Sequence, residues 1–468
     1  MSQDFANVVS FQSFPKLPNN NEYIVFDQVD TPDFSLNGTK LVCNNAGTWN
    51  FIAQYQLVSY ISSTDKALTQ VDGWIRVNGV NIENSDATNS VNNVGGVNVL
   101  CIGFVVELKL NDTVEWGIRT SQYSLENKVL CGIESYLARS GITAPSIILT
   151  INKVKAVTQG FKNYANISSN MNFPVHPNNN EYISFTNSDT NDFTLNGSKL
   201  ICNNAGTWSL TAQYQCYSYR TTDLGANSEV DGWIRVNGVN IENSDATWSS
   251  TLLNELGVLT IGTVVVLKQG DSVEFGIRSS SLDNKINNGI INYVTPTGLT
   301  APSIILTGFK VNSLLNGFAN YANVISLVDL PTKPNKNELV VISSQDTNDF
   351  SVDGTKLIVK NPGKWLVLNQ YQLYSYQKQL SGADGFLDGW FRANGVNIPN
   401  SDATTSSSVL SGVNVLPIAF ALNAQLGDVL EFGIRCSSQN NEVSSGMKQY
   451  IAQTNIRAPS TIITLLKI

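Results

Sequence analysis

One block of sequence occurs three times in this chain. Asp72-Gly-Trp-Ile-Arg-Val-Asn-Gly79 returns as Asp231–Gly238, and again as Asp388–Gly395 with Phe391 and Ala393 substituted. Asn44-Asn-Ala-Gly-Thr-Trp49 recurs as Asn203–Trp208 and Lys360–Trp365, and Ala144-Pro145-Ser146 as Ala301-Pro302-Ser303 and Ala458-Pro459-Ser460. Each interval is close to a third of the 468 residues. A repeat this long is a whole domain, not a solenoid unit of roughly 20–50 residues. Three tandem domains are therefore expected, at 1–156, 157–313 and 314–468.

Within each copy the apolar period is two. Trp49, Phe51, Ala53 and Tyr55 fall on one face of a strand, and Val114, Trp116 and Ile118 alternate with Glu115 and Arg119. Asn78-Gly79, Asn237-Gly238 and Asn394-Gly395 follow β-branched or aromatic runs and read as hairpin turns. No long segment has helical periodicity. The expectation is an all-β chain of sandwich domains, for which the jelly roll is one of the few common solutions.

Composition narrows the function classes. Hydrophobic residues make up 42% and charged residues only 14%, so the chain is globular with a mostly uncharged polar surface. A net charge of −8 without a Lys/Arg cluster argues against a nucleic-acid partner. No run approaches the roughly 18 apolar residues of a membrane span, so no membrane insertion is expected. Met1-Ser-Gln-Asp-Phe-Ala-Asn7 has neither a basic start nor an apolar stretch, and the expectation is a cytosol-made chain without a signal peptide. Of the six cysteines only Cys43 and Cys202 occupy equivalent positions, which favours buried free thiols over a disulfide framework. Spacing leaves a Cys101–Cys131 bridge open.

Leu357-Ile-Val-Lys-Asn-Pro-Gly-Lys-Trp365 resembles the central signature of C1q-type globular heads, in the complement C1q and tumour necrosis factor superfamily. Leu41–Phe51 and Leu200–Leu210 match with Ala for Pro. The later order also fits: an Asn-Gly hairpin, then Gly270-Asp271 or Gly427-Asp428, then a closing Ser-Ile-Ile-Leu-Thr strand at Ser146–Thr150 and Ser303–Thr307. The first copy departs with Asn111-Asp112, and there is no collagen-like stalk. The resemblance implies ten-stranded jelly rolls that pack as trimers, with function in exposed loops. Three copies on one chain then suggest an intramolecular pseudo-trimer.

The third copy supports that packing independently. Trp365, Val367 and Tyr371 lie on one face of a strand, and Leu366 and Leu368 on the other. A strand apolar on both faces is covered on both sides, by its own core and by a neighbour, or else by a thick core under a long loop. Trp49, Tyr55, Trp208, Tyr214, Trp365 and Tyr371 are the interface candidates, with Arg76, Arg235 and Arg392. The arginines, with Asp72, Glu115, Arg119 and their counterparts, form either cross-strand ion pairs on a solvated face or contacts that fix how the copies dock.

Chemistry has little support. His176 is the single histidine, which removes His-based triads and multi-His metal sites. No phosphate-cradling loop, zinc-spaced Cys set or nucleophile elbow is present, and an enzyme is not expected. Asp86, Asp245 and Asp402, in the repeated Asn-Ser-Asp-Ala-Thr loop, are candidate calcium ligands, with loop-stabilising Asx turns as the simpler role. The loops 61–70, 220–229 and 377–386 diverge between the copies, either because binding specificity sits there or because exposed loops are weakly constrained, and the sequence does not choose between the two. The leading expectation is a non-enzymatic structural and recognition protein at the surface or vertex of a large virus particle, with other protein subunits, a surface receptor or a glycan as partners. The alternative is a soluble lectin-like or receptor-binding module.

Overall fold

The computed structural model describes residues 4–17, 19–60, 69–90, 96–122, 129–137, 143–154, 160–219, 228–242, 244–250, 255–281, 284–294, 300–311, 318–376, 385–407, 413–437, 443, 445–451 and 457–468. Every regular element among them is a strand, and every ladder is antiparallel. The divergent loops lie almost wholly outside the described residues.

The first unit shows the plan. An inner six-stranded sheet runs in the order Val97–Leu108, Gly47–Ser59, Ile147–Val154, Phe5–Ser10 and Gln28–Val29, with Cys131–Ile133 also pairing with the second of these. An outer seven-stranded sheet runs Phe34–Asn37, Lys40–Cys43, Thr113–Gln122, Thr69–Val77 and Val80–Asn81. Glu22–Tyr23 and Ala87–Ser90 attach to its middle strands. Tyr164–Lys310 and Tyr321–Lys467 repeat the arrangement strand for strand. The molecule is three tandem jelly-roll sandwiches, as expected.

Turn chemistry sets the register of the outer sheet. Asn78 (φ 49°) and Gly79 (φ 81°) both have positive φ between Val77 and Val80, which are directly paired. That is the type I′ geometry an Asn-Gly pair adopts at little steric cost, and its twist matches the flanking strands. Further along, Trp74 lies opposite Gly117 with its indole flat against the glycine. A Cβ on Gly117 would sit 2.0 Å from the indole, and one on Gly276 would sit 2.1 Å from Trp233. We expect Gly276→Ala to lower stability by about 1–3 kcal/mol through overpacking, read as a drop in the thermal midpoint. An unchanged midpoint would show that the indole moves aside freely.

Each unit fills its sandwich with its own aromatics. Trp49, Phe51, Tyr55 and Trp116 belong to the first core, Trp208, Tyr214 and Phe275 to the second, and Trp365, Tyr371 and Phe432 to the third. All six cysteines are buried free thiols, so Cys101 and Cys131 are not bridged. No helix among the described residues is long and apolar enough to cross a membrane.

The inner sheets are buried on their second face as well. Ile52, Cys101, Val105 and Val154 of the first unit form one cluster with Tyr164, Val264, Phe309 and Val311 of the second and Leu366, Ala419 and Leu466 of the third. Val258 of the second unit enters the first unit's core, Val415 of the third enters the second's, and Val99 of the first enters the third's. These contacts close a cycle. Burying each such side chain contributes about 1.5–3 kcal/mol, so the shared cluster is a substantial fourth core.

Candidate functional site: the seams between the units

The central strands Gly47–Ser59, Gly206–Ser218 and Gly363–Ser375 decide what meets at the seams. Side chains alternate in direction along a strand. Trp49, Tyr55, Trp208, Tyr214, Trp365 and Tyr371 all point into the cores of their own units and are fully buried there. The indole NH of Trp49 donates to Asn45 O at 3.0 Å, and the Tyr55 hydroxyl donates to Gly117 O at 3.3 Å, both within one unit. As interface candidates these six are therefore corrected. The two-faced pattern holds at Leu366, which joins the shared cluster, and the seam is built by the residues between the aromatics.

Those intervening residues include pairs of glutamines. Gln56 Nε2 donates to Thr404 O at 2.7 Å, and Thr404 N donates back to Gln56 Oε1 at 2.9 Å, joining the first and third units. Gln215 does the same with Thr88 (2.7 and 2.9 Å), and Gln372 with Thr247 (both 3.1 Å). Thr88 lies on Ala87–Ser90, which among the described residues pairs with Thr69–Val77 alone and so has an open edge. Each glutamine side chain imitates one peptide group of a further strand and satisfies the exposed edge.

Two residues back, Gln54 donates to Pro417 O at 2.8 Å, Gln213 to Cys101 O at 3.2 Å and Gln370 to Thr260 O at 3.3 Å. A third set comes from the opening strand of each unit. Asn7 Nδ2 donates to Ala421 O at 2.9 Å, and Ala421 N donates to Asn7 Oδ1 at 3.1 Å. Asn166 clasps Val105 (2.7 and 3.0 Å) and Asn323 clasps Val264 (both 3.3 Å) in the same way. Asp30, Asp189 and Asp346 orient these asparagines by accepting from Nδ2 at 2.8–2.9 Å. Partial desolvation pushes the pKa of all three carboxyls up, although hydrogen bonds from the asparagines oppose the rise and the side chains stay open to solvent.

Where all three units meet there is a cavity of ≈ 40 Å³, lined among others by Ile52, Gln54, Thr211, Gln213, Leu368 and Gln370. That volume accommodates about three water molecules at roughly 10–15 Å³ each. The lining is not threefold symmetric: Ile52, Thr211 and Leu368 hold equivalent positions, as do Cys101, Thr260 and Pro417. Asn50 Nδ2 donates to Asn152 Oδ1 at 2.9 Å, a buried pair that Leu366 and Leu466 replace with apolar contact in the third unit. A homotrimer must repeat every axial residue three times. This chain does not.

The remaining candidates lie away from the seams. Arg76, Arg235 and Arg392 pair with Glu115, Glu274 and Glu431 of their own sheets at 3.8, 3.7 and 3.1 Å. They are corrected from interface residues to cross-strand partners. The face they share is not uniformly solvated, because Asp72 and Asp231 are fully buried on it. Each accepts a hydrogen bond from a threonine, Thr88 and Thr247, at 2.7 Å. Burial pushes the pKa of both carboxyls up to about 7.

Asp86, Asp245 and Asp402 are also buried, each inside its own unit near Tyr55, Tyr214 or Tyr371. Among the described residues no group of three or more His, Cys, Asp or Glu is placed to hold a metal ion. The calcium reading, which has the three carboxylates near a common axis, is corrected on position: each is enclosed separately within its own unit. The loop is held by its serine instead, with Ser85 Oγ accepting from Ile75 N at 3.1 Å and donating to Ile82 O at 2.8 Å. The amide clasps went unread in the sequence. The available signal was a glutamine on the non-core face of the same strand in all three copies.

No protein-family model matches this chain, and no curated protein does. Among solved structures it is similar to murine APRIL at pH 5.0, with 12% identity over 31% of this chain and 97% of that one, at a TM-score of 0.21. It is also similar to a chain of the Sulfolobus turreted icosahedral virus, with 12% identity over 98% of this chain and 90% of that one, at a TM-score of 0.18. A third likeness is to PNGF-II, with 10% identity over 86% of this chain and 98% of that one, at a TM-score of 0.24.

Proposed function

We propose that this chain is a non-enzymatic structural and recognition protein, a covalent pseudo-trimer of C1q-like heads spanning 1–156, 157–313 and 314–468. The observation that carries this reading is the amide clasp made three times over, from Gln56 to Thr404, Gln215 to Thr88 and Gln372 to Thr247. The cycle returns to its start, so every inner sheet finds a partner within one chain. Such a block leaves its outer sheets and loops for contacts with other protein subunits, a surface receptor or a glycan.

The setting we propose is the surface or vertex of a large virus particle. A rigid, preassembled block with few charges on its surface suits incorporation into a larger shell.

Light scattering on a sizing column with small-angle scattering tests the closed ring. We expect a compact particle at the chain mass of 51.0 kDa. A particle of three chains, or an extended string of three beads, would overturn the intramolecular assembly. Detection of the chain in purified particles tests the setting separately.

A further inference from the structure

The three units are similar in sequence around the outer-sheet arginine, and a cleft lies where the third differs from the first two. In the first unit the Arg76 guanidinium stacks over the Tyr23 ring at 4.7 Å, and that ring meets Trp74 edge-on at 6.2 Å. The second unit repeats this with Arg235 over Tyr182 at 4.6 Å and Trp233 at 6.3 Å. In the third unit the same backbone position is Leu339. It pairs with Gly433 as Tyr23 pairs with Gly117 and Tyr182 with Gly276. The chain path is kept and the ring is gone, while the Trp390 indole NH gains a hydrogen bond to Asn397 that Trp74 and Trp233 do not make.

An open cleft of ≈ 640 Å³ lies at that position, lined by Asn337, Leu339, Trp390, Arg392, Val396 and Asn397 among others. Val396 at its edge is 70% exposed. The surrounding groups are fixed: Arg392 pairs with Glu431 at 3.1 Å and donates to Gly395 O at 2.5 Å. Trp390 Nε1 donates to Asn397 Oδ1 at 3.1 Å.

We propose that this cleft receives an aromatic side chain, of the tyrosine type, from a partner polypeptide. The sister units show the geometry that such a ring adopts, between a guanidinium face and the edge of an indole. Glu431 already neutralises Arg392, so the arginine offers a planar face to a π-system more than a free charge to an anion. The side-chain amides of Asn337 and Asn397 line the same cleft; their Oδ1 atoms accept from Arg435 and Trp390, which leaves the Nδ2 groups to donate to the peptide carbonyls that accompany a side chain.

The test is a titration of the full chain with N-acetyl-L-tyrosinamide, followed through the ¹⁵N–¹H signal of the Trp390 indole, which Trp390→Phe identifies. We expect a saturable shift with a Kd of about 1 mM, ordinary for a fragment of this size. Leu339→Tyr supplies the ring internally, as the first two units do, and should abolish the shift in a folded protein. Tyr182→Leu should open the equivalent cleft over Trp233 and raise the stoichiometry from one site to two. Binding that survives Leu339→Tyr would overturn the proposal. So would a wild-type chain that shows no saturable shift, or one that answers to methyl β-glucoside in place of the aromatic amide.

Discussion

Leucine at Gln56 will lower the unfolding free energy by about 2–6 kcal/mol, since two buried backbone groups each lose a partner at roughly 1–3 kcal/mol. The side chain keeps its approximate volume, so the packing of the seam changes little. What changes is that Thr404 N and Thr404 O, both bonded to Gln56 in the native chain, lose that partner beside a sheet edge. This seam joins the first unit to the third, which no linker connects directly. Urea unfolding measures the loss, and small-angle scattering shows whether the ring opens before the units melt. A change below about 0.5 kcal/mol, the range of an ordinary surface substitution, would mean that the glutamines decorate the seam without holding it.

Stability will rise as the pH falls from 7.5 to 4.5, opposite to the usual acid sensitivity of a protein with paired carboxylates. Burial raises the pKa of Asp72 and Asp231 from 3.8 to about 7. Between those values the unfolded chain has lost the proton and the folded chain keeps it, so the folded state binds more protons there. Stability then falls as pH rises through this window and is flat above it. Each carboxyl contributes at most roughly 4 kcal/mol across the window, and Arg119 and Arg278 oppose the shift. Asp30, Asp189 and Asp346 shift in the same direction, but they are exposed and screened, so they add little. Asp112 and Asp271, held low by hydrogen bonds from Lys109 and Lys268, act against it, but they are exposed and screened. Calorimetric midpoints across this range should show the slope, and Asp72→Asn with Asp231→Asn should flatten it. A midpoint that drops steadily on acidification in the wild-type chain would refute the assignment.

Much of the fold was legible because it is written three times. The recurrence of Asp72–Gly79 set the number of units, the period of two set the class, and Asn78-Gly79 placed a hairpin that the positive φ values of both residues confirm. The doubly apolar strand at Trp365–Leu368 correctly announced that the inner sheet is covered on both sides. Burial of Asp72 was not legible. Alternation says only that it points away from the core, and nothing local says what covers that face.

The cleft beside Leu339 was hidden for a related reason. Tyr to Leu is a mild change on paper, and its consequence appears only where Arg392 and Trp390 surround the missing ring. The interface assignment failed at the same level. A strand sequence separates its side chains into two sets with certainty, since successive Cβ atoms point to opposite faces. It does not label which set faces the unit's own second sheet and which faces a neighbour, because both environments are dry and both accept Trp, Leu or Ile. Sequence by itself determined three all-β units with two-faced inner strands. Tertiary structure alone decided that the aromatics close each unit while glutamine and asparagine amides close the ring, because only packing brings a side-chain amide within reach of a distant strand's open peptide groups.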